Sequence, residues 1–573
     1  MGSTNEPPLS WTHTKSTATQ SEDLSSSLPE GYQSLRRVKE NIPIRLWIVA
    51  IIGLWERASF WGLTAPFQNY MENPPTSHTP GALGLGQETA TRIYCGFYIF
   101  YYISPIIFAA LSDAFLGRWK SLCIASFVYN IGCVVLIVTS QELDQGLGLP
   151  GFLTAMVLIG LGGGGFHVII VLFTVDQYIE KPPRILTLIS GEQVVTDRAL
   201  TLGYIYNANF WVGNVGSMFW FATVYLEMHV SFASAYASAF ACMVTAMLML
   251  LIGGAWYEKV PLESNVLPKA TKILLCATKN GFNVGRANPE YQLEHHHNVV
   301  PWSKPLVEDL GRALRACRVL LAFVVFWICF DQMQNNLISQ AGQMETHKTP
   351  NDLLPAMNQV ACIILGPLIQ HIFYPWLHRR HIYIGPITRI SIGFTFISVA
   401  MAYAAIVQWL IYTAGPCYSS PGKCKHGFES LPNDVNVWVQ APVYFFISAG
   451  EIFAYVTGME YAYDHSPREM KAIVQAVSLI IAGMGSACAM GIASLARDPY
   501  LIKFYASLAG AMLLTTAVFW VLFHKYDSAT ELKDVPEALS REASHESHTQ
   551  VDIEMVLVSE IEMEANESRK SSR

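Results

Sequence analysis

The chain predicts an all-α polytopic membrane protein with twelve transmembrane helices in two six-helix halves, and three observations predict it. Charged residues are 14% of the 573 and hydrophobic residues 52%, whereas charged residues make up about a quarter of a soluble globular protein. The apolar residues fall in repeated runs of about twenty, each long enough to cross ~30 Å of hydrocarbon as a helix. One long polar stretch, about 257–317, parts six such runs from six others. A soluble multidomain enzyme is a poor fit to that composition. The 37 Lys and Arg against 44 Asp and Glu give a net charge of −7 with no sustained basic stripe, which speaks against a nucleic-acid partner.

In chain order, residues 1–43 are polar and Ser/Thr/Glu/Pro-rich without a hydrophobic core near the start, so they read as a disordered tail rather than a cleavable signal. The spans follow at about 44–70, 92–111, 120–139, 151–175, 204–226, 231–256, 318–344, 353–377, 383–412, 436–463, 471–495 and 501–524. Residues 525–573 are again polar and read as a disordered tail. An even number of crossings puts both ends on one side. Loops on that side carry Arg118 and Lys120, Lys181, Arg184 and Arg198, Arg379 and Arg380, and Arg468 and Lys471, so the positive-inside rule makes both termini cytoplasmic. The six-plus-six layout, 44–256 and 318–524, suggests two similar halves with a site between them at the midplane.

Several features read blandly. His295, His296 and His297 lie in the central polar stretch without Cys or acidic ligands at zinc-like spacing, so they are expected in a solvated loop. Asn566-Glu567-Ser568 is a sequon by chance, since the orientation makes it cytosolic. Most cysteines, such as Cys95, Cys133 and Cys362, sit in apolar runs as small hydrophobes. Cys417 and Cys424 share an outer loop, and spacing leaves a bridge and two free thiols equally open. Gly162 to Gly165 lack a following Lys-Ser/Thr and read as close helix packing.

The informative residues are the polar ones inside the spans, because a charge at the centre of a membrane helix costs roughly 2.5–3.5 kcal/mol on insertion scales. Gly53, Glu56, Arg57, Phe60, Thr64 and Gln68 share one face of the first span. His167 follows the glycines of the fourth, and Asn207, Trp211 and Asn214 mark the fifth. Asp331, Gln334, Asn335 and Ser339 form a stripe on the seventh that predicts a wet lining. Tyr444, Ser448, Glu451 and Tyr455 repeat along the tenth. An isolated Asn or His in a span reads as an interhelical hydrogen bond. Glu56, Arg57, Asp331 and Glu451 together read as function, since joining helices needs no such concentration of charge. No Ser-His-Asp spacing, metal cluster or cofactor motif recommends an enzyme.

The run Glu56-Arg57-Ala58-Ser59-Phe60-Trp61-Gly62-Leu63-Thr64-Ala65-Pro66-Phe67-Gln68-Asn69-Tyr70 resembles the first-helix signature of proton-dependent oligopeptide transporters in their fungal form, a branch of the major facilitator superfamily. The resemblance continues through Pro105 to Leu122, Phe210 to Ser217, Trp327 to Met344, Gly450-Glu451 and Glu460 to Lys471, covering about 44–524 in order. It implies a major facilitator fold and secondary active transport, most simply proton-coupled symport of di- or tripeptides or related solutes by alternating access. It also implies a monomer in the plasma membrane or an organelle membrane, with a small-molecule substrate, protons and lipid as its partners. The chain departs from the family at four places. Gly53 stands for the first glutamate of Glu-x-x-Glu-Arg, Phe60 and Trp61 for paired tyrosines, His167 for a coupling lysine, and Phe108 for a glycine before the gate motif of Asp113 and Arg118.

By the same resemblance, Arg57 would take a peptide carboxylate with its planar fork, Glu451, Asn214 and Asn358 would take the amine, and Phe60 and Trp61 would wall the pocket. Glu56, Arg57, His167, Asp331 and Glu451 are the proton-coupling candidates. His167 is the only one whose ordinary range, near ~6.5, lies at physiological pH. Two other readings stay open: a carrier of another metabolite on the same scaffold, and a nutrient receptor that signals through its tails without transporting.

Overall fold

A computed structural model of the chain describes residue 35 and residues 37–527, apart from 78, 142–147, 179–183, 188–191, 260–265, 282, 381, 383, 420, 422–424, 427–428 and 468–469. Most of both expected tails, the sequon, Lys181, Cys424 and Arg468 therefore lie outside the described residues. Eleven helices are long and apolar enough to cross a membrane, which makes this a multi-pass membrane protein. The fifth expected span is helical too, over Arg198–Ser217 and Phe219–His229. It is interrupted at Met218 and carries Tyr204, Asn207, Asn209 and Asn214, so it is the least apolar of the twelve.

The helices break where the sequence removes a donor or crowds the backbone. The first span runs Ile44–Thr64, then restarts as Phe67–Glu72 past Pro66, which has no N–H to continue the ladder. The seventh lies in a helical stretch Lys304–Gly342 and is not one continuous helix. Phe323–Asp331 tightens into a single 3-10 turn, Gln332–Gln334, and Asn335 leaves helical geometry at φ −133° and ψ −88° before Asn336–Gly342. The tenth widens into a π-helical turn over Glu451–Val456. Such irregular turns inside helices mark functional positions.

The chain divides into two compact units. The first is Met1–Pro66 with Ile103–Asn265, the second Phe67–Tyr102 with Val266–Arg573. In the first unit the glycine run is the close seam the sequence predicts. A Cβ on Gly162 would lie 2.6 Å from Ala125 O, and one on Gly165 would lie 2.4 Å from the ring of Phe108. Phe108 thus fills space that Gly165 leaves. Residues 37–43, expected within a disordered tail, are ordered: Arg37–Val38 is a strand parallel to Gln193–Thr196, which also pairs antiparallel with Ile185–Thr187. Arg37 reaches Asp197 at 3.1 Å and Lys39 lies over the Tyr204 ring, contacts that compensate the ordering of those residues.

The second unit has an aromatic core in which Phe394 packs on Phe323 at 5.0 Å and on Phe519 at 5.3 Å between ring centroids. The central polar stretch is not a loop throughout. It forms helices Val266–Lys279, Pro289–His296 and Lys304–Ala316, and their apolar stripes bury Ala270, Ile273, Val307 and Leu310 against Met470 and Ile473. The three histidines are exposed at the end of the second of these helices. Cys417 is disulfide-bonded.

Candidate functional site

In the first unit, Glu56 and Arg57 pair with each other. Glu56 is fully buried, and Arg57 donates through Nε to Oε2 at 2.7 Å and through a terminal nitrogen to Oε1 at 2.5 Å. Two-point contact of this kind is the strongest arrangement available to the pair. The guanidinium also lies 5.0 Å from the Phe60 ring centroid, a cation–π distance. The charge of Arg57 reaches the partly buried His167 of the fourth span. Asn214 is partly buried, and its neighbour Gly213 approaches the same arginine: a Cβ there would lie 3.8 Å from Arg57 Cγ.

The aromatic walls are folded in. Phe60 is 1% exposed and packs edge-on against Trp61, whose ring lies 5.9 Å from that of Trp220. Gly53 leaves room where the family has a glutamate, since a Cβ there would meet only Ile170, at 3.7 Å. Trp211 is 37% exposed, and the side chain of Asn207 lies outside those described. Of the two residues expected at a gate, Arg118 pairs with Asp176 at the end of the fourth span. The side chain of Asp113 lies outside those described.

In the second unit the expected stripe of Asp331, Gln334, Asn335 and Ser339 does not line a wet surface. All four side chains are buried and have protein partners. Asp331 accepts from Ser486 Oγ at 2.5 Å. Gln334 Oε1 accepts from the hydroxyls of Tyr94, at 3.1 Å, and Tyr98. Asn335 caps the following turn with its own side-chain oxygen and lies 3.8 Å from Cys95 Sγ. Ser486 is held by a close crossing: a Cβ on the preceding Gly485 would fall 2.4 Å from Trp327 Cβ and 3.1 Å from Val324 O.

Glu451 begins the π turn of the tenth span, and Asn358 and Cys362 of the eighth aim at the same oxygen of it, from 3.3 and 3.8 Å. Asn358 is itself fixed by Ser448, whose hydroxyl donates to Asn358 Oδ1 at 2.5 Å and lies 2.9 Å from its carbonyl. Gly450 permits the approach of the ninth span here, since a Cβ would meet Ile397 at 2.7 Å. Tyr455, one face further on, packs on Trp327 at 5.4 Å.

The arrangement thus holds one buried carboxylate against a guanidinium and two others, Asp331 and Glu451, among neutral donors. Among the described residues neither forms an ion pair. Sequence spacing missed Ser486, whose hydroxyl comes from 155 residues away, and Cys362, which reads as a plain hydrophobe. It also missed Glu72, at the end of the first span.

A family described as PTR2, POT family, matches residues 119–526. Peptide transporter PTR_C of Candidozyma auris is 38% identical over 502 residues, 87% of each chain. Peptide transporter PTR2 of Saccharomyces cerevisiae is 35% identical over 514 residues, covering 89% of this chain and 84% of its own. Among solved structures, the in meso crystal structure of the POT family transporter PepTSo matches with a TM-score of 0.68 at 18% identity, covering 85% of this chain and 99% of that one.

Proposed function

Since the chain belongs to the POT family, we propose that it is a secondary active transporter which couples inward proton flow to the uptake of di- or tripeptides, or closely related small solutes, by alternating access. One observation carries the reading. Asp331 and Glu451 each stand at a break in a membrane helix, and each is held by neutral groups alone among the described residues. A carboxylate held this way can gain and lose a proton without stranding a buried cation.

The energetics suffice. One proton crossing ~100 mV releases about 2.3 kcal/mol, and a pH unit adds about 1.4. Together these sustain a several-hundred-fold gradient of a neutral solute. Arg57 would receive the peptide carboxylate only by giving up part of its contact with Glu56, so Glu56 takes the proton or swings aside when substrate arrives. Asn358 and Glu451 receive the amine. Both termini face the cytoplasm, an orientation the basic loops support; the plasma membrane is the expected site on the family resemblance, with an organelle membrane as the alternative.

A second reading, transport of a more apolar metabolite, is favoured by the pair Phe60 and Trp61, which wall the arginine without offering a phenol. Purified protein in liposomes with an inward proton gradient, given labelled dipeptides, tests the first against the second. Accumulation above the external concentration supports peptide symport, and failure of every dipeptide to enter rejects it.

A further inference from the structure

Glu72 closes the Phe67–Glu72 helix and is partly buried. Its Oε2 accepts from Ser339 Oγ at 2.5 Å and from Gln68 Nε2 at 3.0 Å. Gln68 is fully buried, and its other end, Oε1, has no partner among the described residues. No Lys, Arg or His among the described residues pairs with Glu72. Two further titratable groups bond near the same segment: Asp498, between the eleventh and twelfth spans, bonds Tyr412 and Gln343, and the Tyr505 hydroxyl donates to Asn336 O at 3.0 Å.

These partners suit either form of the side chain. An amide and a hydroxyl can each donate or accept, whereas a guanidinium or ammonium can only donate. To the carboxylate, Gln68 offers its NH2 group and Ser339 its O–H, as observed. A carboxylic acid needs one acceptor, which the unpartnered oxygen of Gln68 supplies when the amide turns over.

We propose that Glu72 is a proton-binding site additional to Glu56, Asp331 and Glu451, and that its protonation state sets the strength of the contact between the Phe67–Glu72 helix and the Asn336–Gly342 segment. Hydronium in the solvent gives up the proton: one of its O–H bonds breaks as one O–H bond forms on the carboxylate, and water leaves. The proton neutralises the side chain and leaves the contact with Ser339 in place. The same two segments are bridged through Asn351, outside both: it makes a reciprocal pair with Asn69, with both hydrogen bonds at 2.9 Å, and donates to Ile338 O at 3.2 Å. Loss of the proton leaves Ser339 donating to a carboxylate, a charge-assisted and stronger hydrogen bond, so the contact tightens when the site empties. The role of the contact in transport rests on the symport reading above; the proton itself does not.

Infrared titration of the full chain in lipid nanodiscs tests it through the carboxylic C=O stretch, which only a protonated side chain shows. The wild type should show a band that appears as pH falls and is lost in Glu72→Gln while the other bands remain. Ser339→Ala should keep that band with its midpoint moved, because one of its two donors is gone. Identical bands in wild type and Glu72→Gln overturn the proposal. If Glu72→Gln does not fold, Ser339→Ala decides alone, and midpoints that all match wild type overturn it. Failure of the symport reading looks different: peptide would enter without protons while the Glu72 band persists.

Discussion

Glu56 and Glu451 are both carboxylates inside membrane helices, yet substitution should affect them in opposite ways. Glu56→Gln leaves the guanidinium of Arg57 buried beside a neutral amide. Breaking a buried pair by removing one partner costs about 3–5 kcal/mol, so this variant should show a large drop in thermal midpoint in detergent. Glu451→Gln removes an ionisable group whose partners among the described residues are Asn358 and Cys362 and keeps the hydrogen-bonding shape. It should melt within a few degrees of wild type, still exchange peptide across liposomes at equal pH, and no longer accumulate it. Gly53→Glu should fold, because a Cβ at that position meets only Ile170 at 3.7 Å; an elution profile matching wild type on size exclusion checks this. The charged residues were legible in the sequence because a charge inside an apolar run is conspicuous. Their partners were not, since Ser486 lies 155 residues from Asp331 and Ser339 lies 267 from Glu72, and spacing along one helix says nothing about which helix it will meet.

Helices here are placed by small residues and aimed by irregular turns. Gly485 lets the eleventh span settle on the seventh so that Ser486 reaches Asp331, and Gly450 does the same for the ninth and tenth beside Glu451. Overpacking a core by a methyl group or more typically costs 1–3 kcal/mol. Gly485→Ala should therefore lower the thermal midpoint and, by shifting Ser486, change the pH dependence of uptake as Ser486→Ala does. A variant that is destabilised but has an unchanged pH profile would show that the hydroxyl has no part in positioning Asp331. The spans were legible because apolar length alone reports them. The 3-10 turn after Asp331 and the π turn at Glu451 were not, because both segments keep good helical spacing in sequence and are bent by what they pack against. That is why a stripe predicted to be wet is instead buried. The amphipathic helices between 266 and 316 were hidden for a related reason: their apolar positions are too sparse to stand out beside the membrane spans.

For the whole molecule, the fold class and family follow from the order of apolar runs and from signature stretches spread over about 44–524. The grouping of Phe67–Tyr102 with the second unit does not follow from them, because it depends on Gln87 and Thr91 finding Asn336, and on Tyr94 and Tyr98 finding Gln334. The central claim is that peptide and protons cross together through carboxylates freed of fixed cations. Liposomes holding the protein and an internal pH-sensitive dye, with potential imposed and no initial pH gradient, test it most directly. Adding dipeptide should acidify the interior of wild-type liposomes, and Asp331→Asn and Glu451→Gln should each abolish the acidification. Labelled dipeptide equilibrating across the membrane while the internal pH stays flat would contradict it.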